Sequence, residues 1–311
     1  MCKSSSNTPR RRSPSFINFF EKRIRYLKES NRFGTATNYL RAKTTLLRFL
    51  DNGGLNFSEI DVRFIDRYED WLMKQGLIRN SVSFHLRIMR AVYNKGVTQG
   101  LSKQRDPFRE AYTGIDKTCK RSVGGEIVKN IVELNLETDP KLSLARDMFL
   151  FSIFARGMAF VDMAFLKKRD ILYQDIIYKR KKSNSILKIR IEQDLRTIID
   201  RYITQKPWSP YLFPILNTED SIKSHQNYLK ELGLYNYRLK KLAKMIGGSV
   251  TLTSYTARHT WASLMHKMDI PVSVISAGLG HSSEHTTRIY LDSLDNSRVD
   301  SANSQLLKSL S

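Results

Sequence analysis

The residues of this chain best suited to chemistry gather between Thr251 and Leu291. Arg258 and His259 stand at the head of a helix-like segment whose apolar positions are Trp261, Leu264 and Met265. Gly278 and Gly280 then break the chain, His281 follows, and Ser282-Ser283 offers a helix N-cap. Tyr290 comes nine residues after His281. An arginine, a histidine and a tyrosine gathered this way are able to make a covalent phosphoryl-transfer site. The tyrosine supplies a nucleophile, the arginine a planar fork for two phosphate oxygens, and the histidine one further donor.

The same stretch also spells a rival. His281-Ser282-Ser283-Glu284-His285 matches H-x-x-E-H, the inverted zinc-protease pattern, in which both histidines lie one turn apart on one helix with the glutamate as base. A serine pair that caps the helix leaves His281 ahead of it, facing away from His285, so no metal is expected. Elsewhere there is no Walker A loop, no G-x-S-x-G elbow and no paired-cysteine site.

Composition narrows the partner. The 311 residues suggest two domains, each with its own core. Lys and Arg number 52 against 30 Asp and Glu, a net charge of +22 that favours a polyanion, nucleic acid ahead of an anionic membrane surface. No segment reaches the roughly 18 apolar residues of a membrane span, because the MFLFSIFA run ends at Arg156. The polar, basic N-terminus does not read as a signal peptide, so none is expected. Cys2 and Cys119 have no framework spacing and read as free thiols, which makes the cytoplasm the expected compartment.

Several elements must position the reactive residues. Residues 1–14 read as a disordered basic tail. From 15 to 100 four helices follow, carrying Phe16, Phe19, Phe20, Ile24 and Leu27, then Tyr39, Leu46, Leu47 and Leu50, then Ile65, Tyr68, Trp71 and Leu72, then Phe84, Ile88, Ala91 and Val92 inward. The last one turns Arg87, Arg90 and Lys95 outward, with Arg79 just ahead, and these four are the candidate DNA contacts. Residues 101–121 have no clean period and read as an interdomain linker. The second domain, 122–311, opens on GGEIVKNIVEL and on a helix from Lys141 to Phe154 apolar almost all round, which runs into Ala155-Arg156-Gly157. Leu187, Ile189 and Ile191 then alternate with Lys188 and Arg190 as in a half-buried strand, paired with Ile176 to Tyr178 across a turn at Lys181 to Ser185. Helices are expected over Leu195–Tyr202 and Glu219–Met245. A final helix would gather Val299, Ala302, Leu306 and Leu307.

Taken together, Tyr255-Thr256-Ala257-Arg258-His259, Leu279-Gly280-His281 and Tyr290 resemble the tyrosine recombinase (integrase) family, whose pattern is H-x-x-R-H, then LGH, then a tyrosine about nine residues on. Tyr255 stands where most members have histidine. The resemblance implies a mainly α fold: a helical core-binding domain plus an α catalytic domain with a small antiparallel sheet, the two clamping double-stranded DNA. It places a first catalytic arginine at Arg156, although the usual acid comes three residues later and Asp162 comes six later. It puts a catalytic lysine on the strand hairpin, with Lys182 the candidate and Lys181 beside it. The implied reaction is site-specific cutting and rejoining of DNA through a 3′-phosphotyrosine on Tyr290, without ATP, metal or other cofactor, by a tetramer on two paired sites whose C-terminal tails dock in trans. The short tail ahead of the first helix favours inversion or resolution over integration with accessory arms. A DNA-binding protein without catalysis would explain the charge and the bundle as well, but gives no reason for Arg258, His281 and Tyr290 to hold that spacing.

Overall fold

The computed structural model describes residues 13–116, 122–216, 218–247, 250–281, 283–291 and 303–309. It divides into two compact units, Met1–Thr118 and Cys119–Ser311. Both cysteines, the Arg10–Arg12 run, Val299 and Ala302 lie outside the described residues.

The first unit is a helical bundle of α1 (Phe16–Glu29), α2 (Phe33–Phe49), α3 (Val62–Lys74) and α4 (Arg79–Thr98). Ser15 caps α1 through the Asn18 amide, and Asp61 caps α3 through that of Phe64, which leaves a gap between α2 and α3. A 3₁₀ turn at Phe57–Glu59 fills the gap and buries Phe57 against Phe16 and Tyr93. Gly96 of α4 lies flat on the Phe57 ring, which a Cβ there would approach to 2.3 Å. Along α4 the expected Ile88 and Val92 are buried with Val82, Ser83, Leu86, Met89 and Tyr93, and Phe84 packs partly buried on the core, while Ala91 is exposed, a correction at that one position.

Two expected boundaries move. Ser13 and Pro14 are tied to the 3₁₀ turn, with the Ser58 amide on Ser13 Oγ and the Phe57 amide on the Pro14 carbonyl. The expected linker is folded as far as residue 116. Phe108 is buried against Tyr93, Ser83 donates to the Gly114 carbonyl, and Asn80 exchanges two hydrogen bonds with the Asp116 backbone. Mixed charge hid this because the strap is held by polar bonds and two aromatics, Phe108 and Tyr112.

In the second unit, α5 (Gly125–Val132) precedes the central helix α6 (Pro140–Phe154), which Asp139 caps and which is buried all round from Asp147 to Ile153. One carboxylate, Asp147, is buried within it and takes bonds from Arg146, Arg201 and the Tyr202 hydroxyl. That network ties α6 to α8 (Gln193–Ile203). Short α7 (Phe160–Ala164) leads to a three-stranded antiparallel sheet, β1 (Ile171–Leu172), β2 (Asp175–Lys179) and β3 (Ile186–Arg190), in chain order. Its register pairs Ile176 with Ile189 and Tyr178 with Leu187, which puts the alternating apolar residues of both strands on the inner face. Then come α9 (Ser221–Met245), α10 (Thr256–Lys267), α11 (Val272–Leu279) and α12 (Glu284–Leu291). Residues 303–309 form a further helix in which Leu306 and Leu307 are exposed. No described helix is long and apolar enough to cross a membrane.

The end of α6 is the tightest corner. Arg156 and Gly157 take successive positive φ angles, 55° and 71°, and the Gly157 amide folds back onto the Ser152 carbonyl at 2.7 Å. A Cβ on Gly157 would lie 3.1 Å from Arg258 Cα and Cγ and 3.3 Å from Leu279. Gly157→Ala therefore meets both a left-handed backbone, which costs about 1–3 kcal/mol, and a contact with Arg258 tight enough that a neighbour must give way. Gly100 has a similar φ, 73°, and no close neighbour, so Gly100→Ala meets the first cost alone. Chemical denaturation should show the larger loss for Gly157→Ala; equal losses would mean the corner has room to spare.

Candidate active site

Arg258 is almost entirely buried, at 2% exposure, on the first turn of α10. A permanent charge at that depth must be heavily hydrogen-bonded. Its Nη1 donates to the Gly157 carbonyl at 2.7 Å, and its Nη2 donates to the Leu279 carbonyl at 2.6 Å and to His281 Nε2 at 3.1 Å. The helix turn puts Arg258 on the inward side with Ala257 and Ala262. The glycine corner after α6 brings one of its acceptors, and the end of α11 brings the others.

That end of α11 is a Schellman motif. Gly280 is left-handed, its amide bonds the Ala277 carbonyl, and the His281 amide bonds the Ser276 carbonyl at 3.0 Å. The turn leaves the Leu279 and Gly280 carbonyls pointing at guanidinium groups and sets His281 just ahead of α12. Here the His285 amide donates to Ser283 Oγ at 3.2 Å, so Ser283 marks the helix start.

An arginine only donates. His281 Nε2 is therefore the acceptor, and the ring proton sits on Nδ1, which donates to Thr287 Oγ1 at 2.8 Å. Burial lowers the His281 pKa to about 4, with the charges of Arg258, Arg180 and Lys182 adding to the effect. The imidazole is thus neutral across the ordinary working range. Both ring nitrogens are engaged, His281 lies off the helix that carries His285, and among the described residues no cluster suits a metal ion. The geometry gives the zinc reading of His281, Glu284 and His285 no support.

Lys182 and Lys181 differ in what their charges act on. The Lys181 ammonium lies over the Phe165 ring at 4.3 Å, whereas the charge of Lys182 bears on His281. Tyr290 belongs to α12, three residues or one turn beyond Thr287; its side chain is outside the described residues. Tyr255 precedes the first turn of α10, 44% exposed, with its ring 5.3 Å from that of His259.

Arg156 stands next to Gly157, whose carbonyl Arg258 bonds. Its side chain is exposed and runs along the sheet, Nη1 reaching the Lys188 carbonyl at 3.4 Å, where it lines a concavity of about 370 Å³ with Gln174, Asp175, Lys188 and Arg190. A different arginine lies against the Gly280 corner. Arg180, at 6% exposure, donates from Nη1 to the Gly280 carbonyl at 2.8 Å, and its Nε stands 3.8 Å from Asp162. Sequence reasoning passed it over because it sits inside the basic run Lys179–Lys182 with nothing local to mark it as buried. The one signal was its match to Asp162, a lone acid in the apolar segment FVDMAF.

In the first unit the four candidate DNA contacts are partly engaged. Arg79 stacks on Tyr112 at 3.8 Å and faces Asp116 at 3.8 Å, and Arg90 donates to Thr113. Arg87 reaches the Ser83 carbonyl, and Lys95 is exposed.

Residues 15–113 match the phage integrase SAM-like domain, and residues 129–297 match the phage integrase family. The chain belongs to that family: it is a tyrosine recombinase, an enzyme of site-specific DNA recombination. It is similar to tyrosine recombinase XerA of Pyrococcus furiosus, 25% identical over 261 residues that span 83% of this chain and 84% of the relative. Tyrosine recombinase XerD of Pseudomonas aeruginosa is 22% identical over 78% of this chain and 80% of its own. The fold is shared with a Tn1549 transposon integrase solved with circular-intermediate DNA, at a TM-score of 0.66 and 14% identity over 95% of this chain and 100% of that one. It is shared too with a lambda integrase dimer bound to a core site, at 0.65 and 13% over 89% and 95%.

The neutral His281 carries a pH signature. Its unfolded pKa is near 6.5 and its folded value about 4. Between those values the unfolded chain binds more protons, so the contribution is complete above pH 6.5 and is lost as pH falls toward 4. His281→Gln should flatten the acid side of the stability profile relative to the unsubstituted protein, measured by urea midpoints at pH 5 and pH 7. Parallel profiles would show that this ring is not held neutral.

Proposed function

We propose that the chain cuts and rejoins double-stranded DNA through a 3′-phosphotyrosine on Tyr290. The observation that supports this most is the hydrogen-bonded chain Arg258–His281–Thr287, which ends on the helix that carries Tyr290. A phosphodiester repels nucleophiles through its charge and has a poor alkoxide leaving group. Fixed cations and donors aimed at the non-bridging oxygens offset the first difficulty. A general acid on O5′ offsets the second. In this reading Tyr290 Oη attacks phosphorus and its proton passes to solvent. The P–O5′ bond breaks, and Lys182 gives O5′ its proton. The phosphotyrosine bond conserves the energy of the one broken, so rejoining needs no cofactor or metal.

The hydrogen-bond chain implies a proton rearrangement at His281. Its Nε2 accepts from Arg258, so donating to a phosphate from Nε2 requires the opposite tautomer. The Thr287 hydroxyl permits the exchange, because it accepts from Nδ1–H in one tautomer and donates to Nδ1 in the other. A phosphate oxygen that takes the Arg258 hydrogen bond would drive this switch. Arg156 joins the reading as the family's first arginine only if its side chain swings from the sheet toward the phosphate. Tyr255, exposed beside His259, assists cleavage without being the nucleophile.

Arg79, Arg87, Arg90 and Lys95 serve as backbone contacts on DNA, in keeping with the charge of +22. The working unit is a tetramer on two paired sites, with the terminal helix exchanged between protomers, acting in the cytoplasm. A protein that only binds DNA would not need to bury Arg258 among two carbonyls and a histidine.

On a nicked duplex whose cut 5′ fragment diffuses away, the protein should form an adduct that survives denaturant. Tyr290→Phe should abolish it with binding intact, while Tyr255→Phe should slow it. Peptide mapping that finds DNA on any other residue would overturn the assignment.

A further inference from the structure

The turn between β2 and β3 carries Lys182 at an exposed tip, with Lys181 to Asn184 all exposed and Asn184 left-handed. A lysine on such a tip has no intrinsic reason to keep a fixed distance from His281. Arg180 is the buried residue of the turn, and it ties the hairpin to two other elements. Its Nη1 donates to the Gly280 carbonyl immediately before His281, and its Nε faces Asp162 of α7. Asp162, 3% exposed, also accepts the Lys181 amide at 2.8 Å. Gly280 has no Cβ to separate the parts, and one there would come within 2.8 Å of Leu187 on β3. The hairpin, the α11 corner and α7 thus meet at one buried ion pair, two residues from Lys182.

We infer that Arg180, paired with Asp162, is a positioning residue that holds Lys182 at the distance from the His281 corner needed for proton donation to O5′. This rests on the reading of Lys182 as general acid. Arg180 itself is turned to the Gly280 carbonyl and the Asp162 carboxylate, so its effect passes through the hairpin. The alternative role for a buried cation at this place is charge stabilisation of the phosphate, and the leaving group separates the two. A 5′-bridging phosphorothiolate leaves as a thiolate and needs no proton, so cleavage of it is indifferent to where Lys182 stands and still sensitive to charge around the non-bridging oxygens.

The test compares single-turnover cleavage of a duplex with the ordinary 5′-oxygen and of the same duplex with 5′-sulfur. Arg180→Lys keeps the charge and loses the planar fork. The double variant Arg180→Gln with Asp162→Asn removes the pair without leaving a buried charge unpaired. Lys182→Ala is the reference. Each Arg180 variant should bind DNA as the unsubstituted protein does and lose about 10²–10⁴-fold in cleavage of the oxygen substrate, the range a general acid contributes. Each should regain the unsubstituted protein's rate on the sulfur substrate, as Lys182→Ala does. Equal losses on both substrates would assign Arg180 to phosphate charge or to the fold, and undiminished cleavage of the oxygen substrate would leave it no role; either result overturns the inference. If Lys182→Ala itself is not rescued by sulfur, it is the reading of Lys182 as general acid that fails.

Discussion

Everything in the catalytic unit is arranged around a guanidinium that cannot lose its charge and has almost no water. Arg258 is held by the Gly157 carbonyl, the Leu279 carbonyl and His281 Nε2. Each partner is available only because of a local backbone device. The two left-handed residues after α6 turn the Gly157 carbonyl inward, and the Schellman turn at Gly280 leaves the Leu279 carbonyl unspent by its helix. Such a charge costs several kcal/mol to bury without partners, and backbone strain at this corner is what supplies them. Strain of this kind persists where the surroundings over-determine it, as they do here.

A second buried arginine repeats the arrangement one carbonyl further along. Arg258 takes Leu279 and Arg180 takes Gly280, so two cations from distant parts of the chain converge on the C-terminal end of α11. The negative end of a helix favours them there. Their combined charge, with that of Lys182, reinforces the effect of burial in keeping His281 neutral. Burial pushes the Asp162 carboxyl up, while the Lys181 amide, Arg180 and Arg258 pull it down. The result is a concentration of positive charge beside the helix that bears the tyrosine.

Much of this was legible in the sequence, for identifiable reasons. Arg258, Gly280 and His281 stand within one short stretch, so order and spacing alone brought them together, and alternation in SILKIRI with a polar turn ahead of it gave the hairpin. The terminal helices of the first unit followed from their apolar spacing. The misses share a cause, which is dependence on contacts between distant residues. Helix α11 is only eight residues between Pro271 and Gly280, too short for a period to show. Arg180 looks like any member of a basic run until Asp162 and Gly280 are brought to it. Arg156 follows the buried helix as expected, yet its left-handed backbone turns the side chain along the sheet. The strap at residues 101–116 is fixed by polar bonds to α4 that no hydrophobic pattern announces.

The claim that the buried Arg258 centre is the reaction centre is tested most directly by Arg258→Lys, which keeps one positive charge and loses the planar donors. Cleavage of a cognate duplex in a single turnover should be measured beside binding of the same duplex. The account predicts binding close to that of the unsubstituted protein and cleavage reduced by about 10²-fold or more. Cleavage at the unsubstituted rate by a folded Arg258→Lys protein would contradict it.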